Sequence, residues 1–343
     1  MAETSLRWGL LSTARINERL IPAIRDSERS ELVAVGSRDG AKAESYAAHW
    51  SIPRAHGSYE ALIADPGVDA LYISLPNGFH EEWTLKAADG GKHVLCEKPL
   101  ATSTEEVRSM AEAGERNGVV VQDATMMRYH PQTHKVRDLV AGGTIGDVRF
   151  VRAVFAISMS KEGDIRFDPT IGGGCLWDLG SYCVNFTRTV LGAEPLEVQG
   201  SQILNHTGVD VVFAGQMRFP GDIFAQFSST FSALAHWEVE ILGTTGRIRL
   251  DQPFTNMVGA DGHVRIERLT KTTTATFGDT AELDMETLTF EDMQAYRCEV
   301  DAMEAAVLDG AASVVPLEDS ERNIRTLVAL YESAREDRKV KLD

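Results

Sequence analysis

Over the first 125 residues, short apolar runs alternate with amphipathic helical stretches, and this alternation restricts the fold more than any other feature of the chain. Leu6–Leu11, Leu32–Val35, Ala70–Ile73, Val94–Leu95 and Val119–Val121 read as strands buried on both faces of a parallel sheet. Between them, Ala43, Tyr46, Ala47 and Trp50 recur at i, i+3, i+4 and i+7, as do Val107, Met110, Ala111 and Gly114. Ser58 is placed to cap one helix. Thr102 with Glu105, or Ser103 with Glu106, forms a capping box for another. Pro22 predicts a break or restart just before it. The pattern specifies α/β: an N-terminal Rossmann doubly wound parallel sheet over residues 1–125.

The periodicity then changes. One helix follows Pro131 with Val136, Leu139 and Val140, and Gly142-Gly143 ends it. Strand-like runs come next at Val148–Ile157, Leu196–Leu204, Val209–Met217, Ile223–Phe231, Trp237–Leu242 and Arg247–Leu250, with turn signals at Phe219–Asp222 and Gly243–Gly246. Helices are expected near Asp292–Leu308 and Leu317–Arg335. Residues 126–343 therefore read as a C-terminal α+β domain with a mainly antiparallel sheet. A chain of 343 residues suits two domains.

Lys plus Arg total 34 and Asp plus Glu total 51, so the formal charge is 34 − 51 = −17. That balance opposes general attraction to nucleic acid or anionic membranes. The apolar runs fall short of the ~18 residues of a membrane-spanning helix. Cys96, Cys175, Cys183 and Cys298 make no CxxC pair and read as reduced, as in a cytoplasmic protein. No His or Cys spacing suggests a metal.

The first strand ends near Leu11, and a helix follows. A dinucleotide phosphate turn has G-x-G-x-x-G there, but this chain has Ser12-Thr13-Ala14-Arg15-Ile16-Asn17. Small Ser and Ala keep most of the close approach, and the helix N-terminus still attracts phosphate. An ordinary strand–helix turn is the alternative. The second strand ends in Gly36-Ser37-Arg38 where an NAD-binding strand carries an acid. Ser37, Arg38 and Lys42 suit the 2′-phosphate of NADP, while Asp39 keeps NAD as the alternative.

Further motifs carry a family resemblance. His93-Val94-Leu95-Cys96-Glu97-Lys98-Pro99 resembles the EKP signature of the glucose–fructose oxidoreductase/inositol dehydrogenase (Gfo/Idh/MocA) family. Pro76-Asn77-Gly78-Phe79-His80, Arg128-Tyr129-His130-Pro131 and the stretch from Gly172 to Tyr182 extend the match in order along the chain. The resemblance implies a nicotinamide cofactor, a sugar-like substrate, a large open sheet in the second domain and a homodimer or higher oligomer. It implies cofactor contacts at Ser74, Leu75, Pro76, Asn77, His80, Glu97 and Lys98, besides those above. Tyr182 and Asn185 stand where many members have His and Asp, which aligns the chain with the D-xylose dehydrogenase and dimeric dihydrodiol dehydrogenase subgroup.

The chemistry requires a hydride acceptor and a group that handles the proton. Lys98 ends a strand at the ligand-binding edge of a doubly wound sheet. Asp178, Tyr182 and Asn185, at i, i+4 and i+7, share one face of a regular helix. An ammonium favours the phenolate form of a nearby tyrosine, so Lys98, Tyr182 and Asp178 are the candidate catalytic set. Either Tyr182 or Lys98 carries the proton. Lys98, Arg128, Trp177, Asp178 and Tyr182 are the candidate substrate contacts, with His130 a weaker one. The expected reaction is NADP-dependent oxidation of an aldopyranose at its anomeric carbon. Ketosugar reduction, dihydrodiol oxidation and non-catalytic NADP sensing are the alternatives.

Overall fold

The computed structural model describes residues 5–159, 163–254, 261–270, 282–290 and 294–342. They form two compact units. The first contains the residues up to Tyr129 together with Thr170–Gly172 and Gln294–Arg325; the second contains the remainder. The first unit thus includes residues beyond 126 that the sequence assigns to the second domain.

In the first unit the elements run β1 (Leu6–Leu11), α1 (Asn17–Arg25), β2 (Ser30–Gly36), α2 (Gly40–Trp50), β3 (Arg54–His56), α3 (Tyr59–Ile63), β4 (Ala70–Ile73), α4 (His80–Asp89), β5 (His93–Glu97), α5 (Thr104–Asn117) and β6 (Val121–Ala124). The strands are all parallel in the order β3-β2-β1-β4-β5-β6, a doubly wound Rossmann sheet. Ser58 caps α3, and Ser103 with Glu106 forms the capping box of α5. Pro22 lies inside α1 without a break. The carbonyl that loses its helical partner belongs to Glu18, an exposed residue. The sixth strand begins two residues later than its apolar run, because Val120 bonds to strand β5 through Val94 and the His93 ring before the ladder starts.

The second unit contains α6 (Pro131–Ala141), β7 (Val148–Ser158), α7 (Ser181–Leu191), β8 (Glu197–Leu204), β9 (Asp210–Phe219), β10 (Ile223–Thr230), β11 (Ser232–Gly243), β12 (Gly246–Leu250), β13 (Gly262–Leu269) and β14 (Leu283–Phe290). Then come α8 (Ala295–Leu308), α9 (Leu317–Glu336) and β15 (Val340–Lys341). Nine strands form one sheet, β14-β13-β12-β11-β7-β10-β9-β8-β15. Its β7 and β10 pair in parallel; its other neighbours are antiparallel. Helix α7 is buried almost all round and packs on β7 and β10.

Helix α8 belongs to the first unit. Val300 and Met303 join Leu20, Ile21 and Ile24 of α1 and Trp8, Leu10, Tyr72 and Leu95 of the strands in one core. That core fixes the strand ends from which the candidate site projects.

Candidate active site

The carboxyl ends of β1, β2, β4 and β5 all open on one edge of the parallel sheet. Ser12 follows β1 with φ at 148°, a conformation glycine adopts readily and other residues rarely. It keeps the backbone of the missing first glycine. Its hydroxyl lies 2.8 Å from Ser74 Oγ and accepts the Ala14 N–H at 3.1 Å. Ser74 Oγ donates to Asn17 Oδ1 at 2.7 Å, and Asn17 Nδ2 donates to the Ser12 carbonyl at 2.8 Å. This closed, buried network joins the turn, the start of α1 and the end of β4. The Ser12 and Ser74 hydroxyls, expected as ligand contacts, are therefore committed within the protein. Thr13, Ala14 and Ile16 are half-buried around the helix start, and Arg15 is exposed.

At the end of β2, Ser37 is buried and its Oγ accepts the Asp39 N–H at 3.2 Å. Asp39 Oδ1 accepts the Lys42 N–H at 3.2 Å and caps α2. The acid that argued for NAD is thus turned onto its own helix. Arg38 and Lys42 are exposed beside it. The residues fit a phosphate-bearing ribose better than a bare diol.

After β4, Leu75 and Pro76 are half-buried, and Asn77 Nδ2 donates to the Gly172 carbonyl at 2.8 Å. Gly172 has φ of +80°, and a Cβ there would come within 2.8 Å of Asn77 Cβ. His80 is 0% exposed, with Nδ1 at 2.9 Å from the Pro99 carbonyl and Nε2 at 2.8 Å from the Leu75 carbonyl. It ties the two loops together. Burial lowers its affinity for a proton, although the carbonyls oppose the shift.

Lys98 is half-buried at the end of β5, and its N–H donates to Glu97 Oε2 at 3.0 Å. The Tyr72 hydroxyl donates to Glu97 Oε1. Glu97 is buried and anchors the Lys98 backbone. The Arg128 guanidinium forms an ion pair with Asp319 in which both side chains are largely buried. That pairing holds α9 against the first unit's own strand end.

In the second unit a π-helical turn, Leu176–Gly180, leads into α7. The wider turn displaces Asp178 from the regular helical spacing expected with Tyr182 and Asn185. Asp210 of β9 secures the turn: its Oδ2 accepts the Leu176 N–H at 2.8 Å and the Cys175 thiol at 3.1 Å, and its Oδ1 accepts the Tyr331 hydroxyl at 2.7 Å. Gly174, with φ of +138°, passes so close that a Cβ would lie 2.2 Å from Asp210 Oδ1. Arg166 Nε donates to Asp178 Oδ2 at 2.6 Å, and its Nη1 reaches Asp164 at 3.3 Å. The charge of Asp178 raises Arg166 further above its ordinary range. Trp177 is 9% exposed with its ring 5.2 Å from that of Tyr331. Tyr182 is 6% exposed, its ring 5.5 Å from Phe155 and 6.0 Å from Phe254. His130 caps α6 by accepting the Gln132 N–H and is buried.

Residues 6–125 match a family model described as an oxidoreductase family with an NAD-binding Rossmann fold, and residues 133–249 match the GFO/IDH/MocA C-terminal domain. Over 340 residues the chain is 36% identical to D-xylose 1-dehydrogenase (NADP(+)) 2 of Haloferax volcanii, spanning 98% of this chain and 100% of that one. The chain belongs to the GFO/IDH/MocA oxidoreductase family. It is also 35% identical over 247 residues to trans-1,2-dihydrobenzene-1,2-diol dehydrogenase of Xenopus laevis, 71% of this chain and 74% of the relative. A solved 3-ketoreductase from Actinomadura kijaniata, in complex with NADP and TDP-benzene, superposes with a TM-score of 0.87 at 27% identity, covering 96% of this chain and 98% of that one.

In this GFO/IDH/MocA chain, two residues that hold the candidate site escaped the sequence reading. Arg166 and Asp210 act across 12 and 34 or more residues of sequence, in segments without periodicity. Asn17 stands in the register of the third fingerprint glycine, and that register was its one visible signal. Among the described residues, no group of His, Cys, Asp or Glu could hold a metal ion, and no helix is long and apolar enough to cross a membrane.

Proposed function

We propose that this protein is an NADP-dependent sugar dehydrogenase that oxidises an aldopyranose at its anomeric carbon to the lactone. The observation that carries the reading is the convergence of Ser12, Arg38, Asn77 and Lys98 on the carboxyl edge of one parallel sheet. That edge is where doubly wound sheets bind ligands. The amides at the start of α1 attract the pyrophosphate, and Arg38, Ser37 and Lys42 take the 2′-phosphate. The bound nicotinamide supplies the hydride acceptor.

The chain's own residues manage orientation and the proton. Tyr182 takes the proton of the anomeric hydroxyl. Lys98, the other candidate for carrying the proton, follows β5 at the ligand-binding edge of the parallel sheet. Glu97 holds the Lys98 backbone, and Asn77 and His80 hold the loops beside it. Asp178, oriented by Arg166, accepts a hydrogen bond from a sugar hydroxyl, and Trp177 offers an apolar wall. The name of the Haloferax volcanii relative supports this substrate class. A second reading, reduction of a keto group on a sugar, runs the same steps backwards and is favoured by the likeness to the Actinomadura ketoreductase.

Four free cysteines, three of them buried, fit a reducing compartment such as the cytoplasm. Ile203, Phe224, Leu234 and Met285 on the nine-stranded sheet are exposed, which supports pairing with a second copy. Dilute light scattering should give a dimer or larger; a monomer contradicts this. Incubation with a panel of aldoses and ketosugars, each with both nicotinamide cofactors, tests the reaction. Turnover of an aldose with NADP is expected, whereas activity confined to ketosugars with NADPH selects the second reading.

A further inference from the structure

Helix α8 carries a buried acid that no step above uses. Glu299 is 0% exposed, and neither carboxyl oxygen has a hydrogen-bond partner. An ionised carboxylate is strongly disfavoured in such a setting and takes up a proton instead. The titratable groups facing it are Tyr72 of β4, Glu97 of β5, Asp123 of β6, Tyr129 after β6, and Tyr296 and Cys298 of its own helix. Arg19 of α1 faces Tyr296. The charges acting on Glu299 itself are those of Glu97 and Asp123, both acidic.

The two neighbouring acids differ from it in their donors. Glu97 accepts from the Tyr72 hydroxyl and the Lys98 N–H, and the Lys98 charge acts on it. Asp123 accepts from Thr125 Oγ1 at 2.6 Å and Ser320 Oγ at 2.8 Å. Glu299 has no such donors. Hydrogen bonds to the charged form favour it, and an existing negative charge disfavours a second. Burial pushes the Glu299 carboxyl well above the usual range, and the Glu97 and Asp123 charges add to this. Burial also raises Glu97, but Lys98 and Tyr72 oppose the shift.

We propose that Glu299 carries a proton at neutral pH and stays uncharged among the buried acids Glu97 and Asp123. By staying uncharged it acts as a positioning residue, leaving Glu97 as the acid whose charge acts on Lys98. The second half rests on the reading of Lys98 given above, whereas the protonation stands without it.

Stability against pH reads the protonation. An acid that holds its proton more tightly when folded stabilises the fold fully below its unfolded value of ~4.3 and loses that contribution as pH rises towards the folded value. Within the window, each pH unit changes the folding equilibrium up to tenfold. Glu299→Gln copies the shape of the acid and cannot ionise, so it should gain on the wild type as pH rises from about 5 to about 8 in denaturant titrations. A difference that stays constant or shrinks overturns the proposal. Infrared spectroscopy gives a second readout: a protonated-carboxyl band present in the wild type at neutral pH should be missing in Glu299→Gln, and its persistence overturns the assignment. The pH profile of turnover tests positioning. Glu97→Gln should move its midpoint, whereas Glu299→Gln should leave it in place. Equal movement in both means that Glu299 is charged and overturns the proposal. An unmoved midpoint in both overturns the positioning role while the stability result stands.

Discussion

Arg38→Ala isolates the interaction that should separate NADP from NAD. Arg38 is exposed, so its truncation leaves the core intact and should change stability by no more than about 0.5 kcal/mol. Asp39 is occupied in capping α2, and Lys42 remains as a weaker cation one turn away. A hydrogen bond to a charged group contributes about 1.5–3 kcal/mol, so NADP affinity should fall between about 13-fold and 160-fold. NAD has no 2′-phosphate, and its affinity should change less than about threefold, within the stability allowance just given. Calorimetric titration of both cofactors into wild type and variant measures the two ratios directly. Raising the salt should narrow the NADP difference, because an exposed pair is screened. Equal losses for the two cofactors, or a loss confined to NAD, would refute the assignment and return the ribose to Asp39.

Other outcomes follow from the geometry. Tyr182→Phe keeps the ring among Phe155 and Phe254 and removes the hydroxyl, so kcat should fall roughly 10²–10⁴-fold with NADP affinity unchanged. Under the proposed pairing of Lys98 with Tyr182, Lys98→Met should be at least as damaging, and the double variant no worse than the more damaging single one; near-normal turnover in Tyr182→Phe would give the proton to Lys98 or to water. Gly174→Ala drives a Cβ against the Asp210 carboxylate and strains the backbone. It should cost about 3 kcal/mol from strain and displaced hydrogen bonds together, a fall in Tm of roughly 4 °C by scanning calorimetry for a chain of 343 residues.

Local chemistry explains what the sequence made visible. The apolar runs of β1, β2 and β4 are continuous because those strands are buried on both faces. Ser58 and the Ser103–Glu106 pair act within three residues of themselves. Lys98 follows directly from a strand end and its Glu-Lys-Pro context. Features built by distant partners stayed hidden. Strand β3 is three residues, Arg54–His56, too short and polar to register. Strands β13 and β14 mix charged residues and threonine with apolar ones, so their alternation was missed. The π-helical turn at Asp178 depends on Asp210, and the Asp178 carboxylate is held by Arg166; neither link leaves a spacing to count. His80 and Arg128 read as candidate ligand contacts, and their bonds to Leu75, Pro99 and Asp319 likewise left no spacing to count.

Isotopic labelling follows the proposed transfer of the anomeric hydrogen of a sugar to NADP. An aldose that the enzyme turns over is supplied with deuterium at its anomeric carbon, and the reduced cofactor and sugar product are analysed by mass spectrometry. Deuterium in the NADPH and an unlabelled lactone are expected. Deuterium retained in the sugar product, with none in the cofactor, would contradict that transfer.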